Sequence, residues 1–387
     1  MIKLIIASTS EIDDVDAAMN EIRAQIDAGG GLLTHSVGIV ACYYEFVETG
    51  VVNALCEALP FDVIGCTVLG SAVNGRYGLE QLSLSVLTSD DVRFATAFSE
   101  TITKEDVDTP LVRAYAEARG KLRADPSFIF AFAPIMTDVS GDNMLRRLDA
   151  VGGGIPVFGT LSNDTSLTYE NSMIFRNGEA DRNKAALLLF EGAVNPRFFT
   201  TAISEKNIQQ QTAIVTDAEG SLLKTVDNIP CLTYLASLGV ETNGLAAVTT
   251  LPFLIDYGDG TKPTAFSMYA FTDEGIFCGG NIPVGAKIAI ADVDYNSVME
   301  TAQTTVSQAL AEAEENGCDF IFAIPCFTRG LVISPNSEEE MKKTAEMIGE
   351  AFPFMLLYSG GEMCPVYDEN RRIVNRFHNL TYTLVVF

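Results

Sequence analysis

Apolar and polar positions along the chain follow two periods, and the switches between them mark the elements. Residues 1–9 open on an apolar run too short for a signal peptide and without a small-residue cleavage pattern, which predicts a first strand. Ile12, Val15, Met19, Ile22 and Ile26 then recur at steps of three and four, with Ser10 ahead as N-cap and Gly29 to Gly31 behind, the pattern of an amphipathic helix. Residues 38–46 read as a strand, 47–59 as a helix ended by Pro60, and 61–64 as another apolar strand. Leucine and serine alternate over 82–87 in the period of a half-buried strand. Strands alternating with helices predict an α/β fold.

A repeat refines that expectation. Phe128-Ile129-Phe130-Ala131 recurs as Phe320-Ile321-Phe322-Ala323, 192 positions later. In both places a polar loop leads to a helix (141–151; 337–350, where Ser337 and Glu340 have the spacing of a capping box) and then to an apolar strand (155–158; 354–358). A Gly/Ser loop, a turn (Asn177-Gly178; Asp368-Glu369-Asn370) and a closing strand (187–190; 384–387) follow in each. The chain therefore reads as two similarly built α/β halves with mixed β-sheets, an internal duplication, divided into domains 1–195 and 196–387. The second half opens with a strand at 198–203, a helix at 221–227 and a glycine-rich turn at 257–260.

Charge narrows the partners. Against 25 basic residues stand 51 acidic ones, a net charge of −26. Such a field repels nucleic acid and anionic membrane surfaces, and no basic run offsets it. The longest apolar stretch, 128–136, contains Pro134 and falls short of the roughly 20 residues of a membrane helix, so no membrane insertion and a cytoplasmic location are expected. The eight cysteines form no C-x-x-C pair and lie mostly in apolar runs, as buried reduced thiols do. With two histidines and no paired cysteines there is no metal-ligand pattern. The glycine clusters at 152–154, 258–260 and 279–280 lack phosphate-cradle spacing, so no cofactor is expected.

Candidate chemistry lies in the loops that leave the apolar strands, where α/β sheets bind ligands. Four segments qualify: Cys66 and Thr67 with Gly70-Ser71; Gly159 to Asn163 and Asp164; Cys326 to Gly330; and Ser359 to Met363, with His378 and Asn379 beside the last. Arg329 and Glu362 are their charged members. A guanidinium fork clamps a carboxylate and a carboxylate accepts from an ammonium, so the two could hold both ends of an amino acid; equally, they could pair with each other. Cys326 with His378 is the minimum for a cysteine nucleophile and its base, the alternative of a cysteine-dependent amidase or hydrolase.

Together these segments resemble the FIST family (F-box and intracellular signal transduction proteins). Its N-terminal part resembles 63–67 with Gly70-Ser71, the alternating strand 82–87, and 155–159 with Asn163-Asp164 and the turn at Asn177-Gly178. Its C-terminal part resembles Cys326-x-x-Arg329, Gly361-Glu362 and His378-Asn379-x-Thr381. The resemblance implies a FIST N-terminal-like domain followed by a FIST C-terminal-like one. It also implies a sensory role, binding a small, amino-acid-like ligand rather than catalysing a defined reaction. Arg329 would then hold the ligand carboxylate and Glu362 the amine. Gly159, Asn163, Asp164, Asn379, Cys326, Cys66 and Thr67 would complete the site. No output module is recognisable in the chain, so a separate signalling protein, or a scaffolding role for this one, follows as an expectation.

Overall fold

Three sheets of six strands share one plan, each strand order running first, fifth, second, third and then a two-stranded hairpin from elsewhere in the chain. A computed structural model describes residues 1–166, 168–240 and 250–387. In the first copy the strands are Lys3–Thr9, His35–Cys42, Val63–Thr67 and Leu82–Ser89, in the second Arg93–Phe98, Phe128–Ala133, Val157–Leu161 and Ala186–Glu191, and in the third Arg197–Thr201, Ile321–Pro325, Phe354–Leu357 and Tyr382–Val386. The second and third strands of each copy are parallel, and the fifth runs antiparallel between the first and second. The fold is thus α/β with mixed sheets, and the repeat seen in the sequence relates the second and third copies. The first 89 residues hold a further copy of the same plan.

The fourth element of every copy is a hairpin that leaves its own sheet. Ser71–Val73 with Arg76–Gly78 joins the third sheet, Ile174–Arg176 with Glu179–Asp181 the first, and Glu362–Tyr367 with Ile373–His378 the second. The exchange is cyclic. The inner faces of the three sheets meet in one apolar core, with Ile39 and Ile64, Phe130 and Phe158, and Phe322 and Met355 contributed by successive copies. Phe130 meets Phe322 edge-on at 5.5 Å and Phe128 meets Phe387 at 5.2 Å, edge-to-face packing that adds to area burial. Helices cover the outer faces: Val15–Ala28 and Val51–Ala58 the first sheet, Asp108–Gly120 and Gly141–Gly152 the second, Tyr295–Asn316 and Glu339–Ile348 the third.

Between Thr201 and Tyr295 an additional sheet is inserted, which packs against the second sheet and its helix through Phe253, Phe266, Leu145 and Phe377. The helix expected at 221–227 is instead the strand Leu222–Val226 in this sheet. Its β-branched end, Thr225-Val226, leads into Asp227 and Asn228, both at positive φ, and this tight turn reverses the chain where a helix would have continued it. Other boundaries move for local reasons. Asp14 rather than Ser10 caps the first helix, accepting from the Ala17 amide at 2.9 Å. Gly50, at φ +88, splits the expected second helix into Glu45–Glu48 and Val51–Ala58.

Gly65 and Gly159 occupy the same place in the first and second copies, and both are required by close approach. An added Cβ would lie 1.9 Å from the Val40 carbonyl oxygen at one and 2.0 Å from the Ala131 carbonyl oxygen at the other. Because the obstacle is backbone in a buried parallel pair, Gly159→Ala is expected to lower stability by about 2 kcal/mol, seen as a reduced urea midpoint.

Candidate functional site

The loops at the carboxyl ends of the third copy's parallel strands and the start of its exchanged hairpin bring distant residues together. Cys326 and Ser359 follow the parallel strands and are joined by a backbone bridge, with the Phe327 amide donating to the Ser359 carbonyl at 2.8 Å. The Cys326 amide donates to the Thr381 carbonyl at 3.1 Å, and Glu362 pairs across the exchanged hairpin with Thr160 of the second copy and with His378. Thr160 Oγ1 bonds Ser359 Oγ at 2.8 Å, and Ser359 Oγ in turn lies 2.6 Å from the Gly361 carbonyl.

Glu362 is the centre of this cluster. It is 0% exposed, and neither carboxyl oxygen has a well-formed hydrogen bond, although the Cys326 thiol, the Thr381 amide, Arg329 and the Ser359 hydroxyl surround it. Burial, only partly offset by the Cys326 thiol, the Thr381 amide, Arg329 and the Ser359 hydroxyl, holds its pKa well above the usual carboxylate range, which favours the neutral acid. Burial likewise pushes the Cys326 thiol up, and nearby Glu362 reinforces this, so it is no thiolate.

Arg329 is not free for a ligand. Also 0% exposed, it gives Nε and one terminal nitrogen to Glu340 Oε1 at 2.8 and 2.6 Å. Its other contacts are the carbonyls of Leu380 at 3.1 Å and Val298 at 2.8 Å, and Thr301 Oγ1 at 3.0 Å. The expected carboxylate clamp is therefore corrected to an internal ion pair, and its partner is Glu340 rather than Glu362. Burial pulls the guanidinium pKa down, but Glu340 more than offsets this. Glu340 also accepts from the Tyr358 hydroxyl at 3.0 Å, so it does not close the expected capping box with Ser337, whose hydroxyl bonds the Gly330 carbonyl. The sequence marked Glu340 only as the capping-box partner of Ser337; its role follows from burial on the inward side of Glu339–Ile348.

The expected cysteine–histidine pair is not assembled either. The Cys326 thiol faces Glu362, Thr328 and the Leu380 amide, while His378 Nε2 lies 2.9 Å from the Cys364 carbonyl. Burial lowers the His378 pKa to about 4, which leaves the ring neutral.

The remaining candidates have structural partners. Asn163 ties all three copies together: its amide donates to the Thr67 carbonyl at 3.1 Å, its Nδ2 to the Tyr358 carbonyl at 2.8 Å, and its Oδ1 accepts from the Leu69 amide at 2.5 Å. Thr67 Oγ1 donates to the Asn163 carbonyl at 2.9 Å. Asp164 accepts from Ser166 and from the Asn171 amide, fixing its own loop. Cys66 is a fully buried thiol whose pKa burial raises, and Gly159 serves the strand contact described above. Asn379 is 7% exposed with Oδ1 unpartnered, and a Cβ at Gly279 of the inserted sheet would lie 1.6 Å from that oxygen. Asn163 and Arg329 are connected through Tyr358, Glu340 and short hydrogen bonds, but within a packed interior rather than an open cleft. Among the described residues no group of three or more His, Cys, Asp or Glu is placed to hold a metal, and no helix is long and apolar enough to cross a membrane.

A family model for the FIST N domain matches residues 36–229, and one for the FIST C domain matches 231–365. The chain belongs to the FIST family. FIST domains are sensory domains of signal transduction, and the segments that met around Glu362 come from both of them. No curated protein matches this FIST chain. Among solved structures, a cyanuric acid hydrolase described as an evolutionary innovation by structural concatenation aligns at 9% identity and a TM-score of 0.32, over 76% of this chain and 100% of that one. A cyanuric acid hydrolase from A. caulinodans aligns at 10% identity and a TM-score of 0.33, over 100% and 98%. Likeness at that level carries no argument about what this FIST protein binds.

Proposed function

We propose that this chain is a sensory protein of intracellular signalling that takes up a small amine-bearing ligand, of the amino-acid class, at the cluster around Glu362. The supporting observation is a fully buried carboxyl group with no hydrogen bond of good geometry to either oxygen. An ammonium group brings a positive charge and well-directed donors to those oxygens, and would shift Glu362 toward the carboxylate. The amine end of the ligand is the end this geometry supports, since Arg329 is committed to Glu340. Because the cluster is closed to solvent, uptake requires local opening of the loops over Cys326 and Ser359, and such opening is the signal a separate output protein would read.

Calorimetric titration with the common amino acids and simple primary amines tests this reading. Binding should release protons from Glu362, so the measured enthalpy should vary with the ionisation enthalpy of the buffer. Glu362→Gln should abolish binding while the protein stays folded. A ligand that binds the parent and the Gln variant equally, with no proton release, would remove Glu362 from the site.

A further inference from the structure

The cyclic symmetry of the fold allows one copy to be compared with another at the same place. Ser71 and Glu362 are equivalent by register, each opening an exchanged hairpin, and so are Gly78 and His378, which close those hairpins. The connectors that follow are therefore 79–81 in the first copy and 379–381 in the third. In the third copy this connector is covered by the inserted sheet: the Asn379 amide donates to the Ala265 carbonyl at 3.1 Å. Ala265, on the strand Thr264–Phe266, also belongs to the apolar cluster that holds Ala202 and Ile203, just beyond the third copy's first strand. A segment of this chain thus lies between a connector and the end of a first strand.

In the first copy the same two walls line a cleft of about 790 Å³, with Ser8, Thr9 and Ser10 at the end of the first strand on one side and Gly78 to Gln81 on the other. Both strands beside it are sheet edges, since Lys3–Thr9 ends the first sheet and Arg76–Gly78 ends the third. Edge backbone is what an extended polypeptide pairs with. The lining charges are Glu21, Glu80 and Glu338 against Arg76, and Arg76 is already turned onto Gln25 Oε1 at 3.1 Å. Tyr77 adds an exposed aromatic ring on the same wall.

We propose that this cleft docks an extended, lysine- or arginine-bearing segment of a partner protein, at the place where the strand Thr264–Phe266 covers the third copy. The segment's backbone pairs along Arg76–Gly78, and its basic side chains meet Glu80 and Glu338. The cleft is a site separate from the Glu362 cluster and stands whether or not an amine binds there.

The test uses the full chain and a capped Lys-Val-Lys-Thr-Lys-Val-Lys peptide, followed by fluorescence anisotropy at about 0.15 M salt, where loose surface attraction is screened. Binding should weaken about tenfold in the double variant Glu80→Lys with Glu338→Lys, and about tenfold when alternate peptide nitrogens are methylated. The matched reversal Glu314→Lys with Glu315→Lys, on the exposed side of Tyr295–Asn316, should change it by less than about twofold. Hydrogen exchange should slow at residues 76–81 in the complex. The proposal is overturned if the peptide does not bind, if the methylated peptide binds as well, or if both charge reversals weaken binding alike. It is also overturned if the cleft reversal instead dissolves self-association of the chain, which would make a second copy the occupant.

Discussion

Arg329→Ala is expected to lower stability by about 3–5 kcal/mol, the range for removing one partner of a buried ion pair. The loss has two sources. Glu340 would be left as an unpaired charge with no exposure, and the Leu380 and Val298 carbonyls would lose their donor in a region without access to water. The three groups belong to different elements, so the defect would reach the long helix, the connector before the last strand and Glu339–Ile348 together. Urea unfolding of the parent and variant measures it. Arg329→Met combined with Glu340→Leu should recover much of the loss, because an apolar pair of similar volume leaves no uncompensated charge. A single variant with an unchanged midpoint would contradict the internal role assigned to this arginine.

The second large effect is on the acid side of the stability profile. His378 is neutral in the folded protein because burial lowers its pKa from the ordinary 6.5 to about 4. Between those values the unfolded chain binds a proton that the folded chain does not, so stability falls as pH falls from about 6.5 to about 4. At about 1.4 kcal/mol per pH unit, the full window is worth about 3 kcal/mol. His378→Gln should flatten this limb in unfolding experiments run from pH 7 to 4. A variant that follows the parent's pH dependence would show that His378 is not the group responsible. Glu362 acts with the opposite sign: its folded pKa is raised, so its contribution is present in acid and is lost as pH rises above the ordinary carboxyl range.

The strand–helix alternation and the second and third copies were legible because their strands carry the same Phe-Ile-Phe-Ala run. The first copy was hidden because its equivalent strand, His35–Cys42, is built from Val, Gly, Ile and Ala and still fills the same place in the core. Hairpin exchange left no local trace, since Val73 pairs with Met355 and Glu362 with Thr160 across long separations. At the site, the sequence assembled the right loops but misassigned partners. It set Arg329 and Glu362 against each other or a ligand, because a periodicity cannot show that Glu340 is turned inward. It likewise offered Cys326 and His378 as a dyad, although the thiol faces Glu362 and the Leu380 amide while the ring is held at the Cys364 carbonyl.

The traded hairpins also govern how the protein can be made. As the chain emerges in order, the first sheet lacks its outer strands until Asp181 has been synthesised, and the third copy's contribution to the second sheet ends only at His378. Two partly built sheets must therefore wait with bare borders, a state that invites misassociation. Closure of the ring waits for residues 362–378 and the strand Tyr382–Val386, long after the first hairpin has been made.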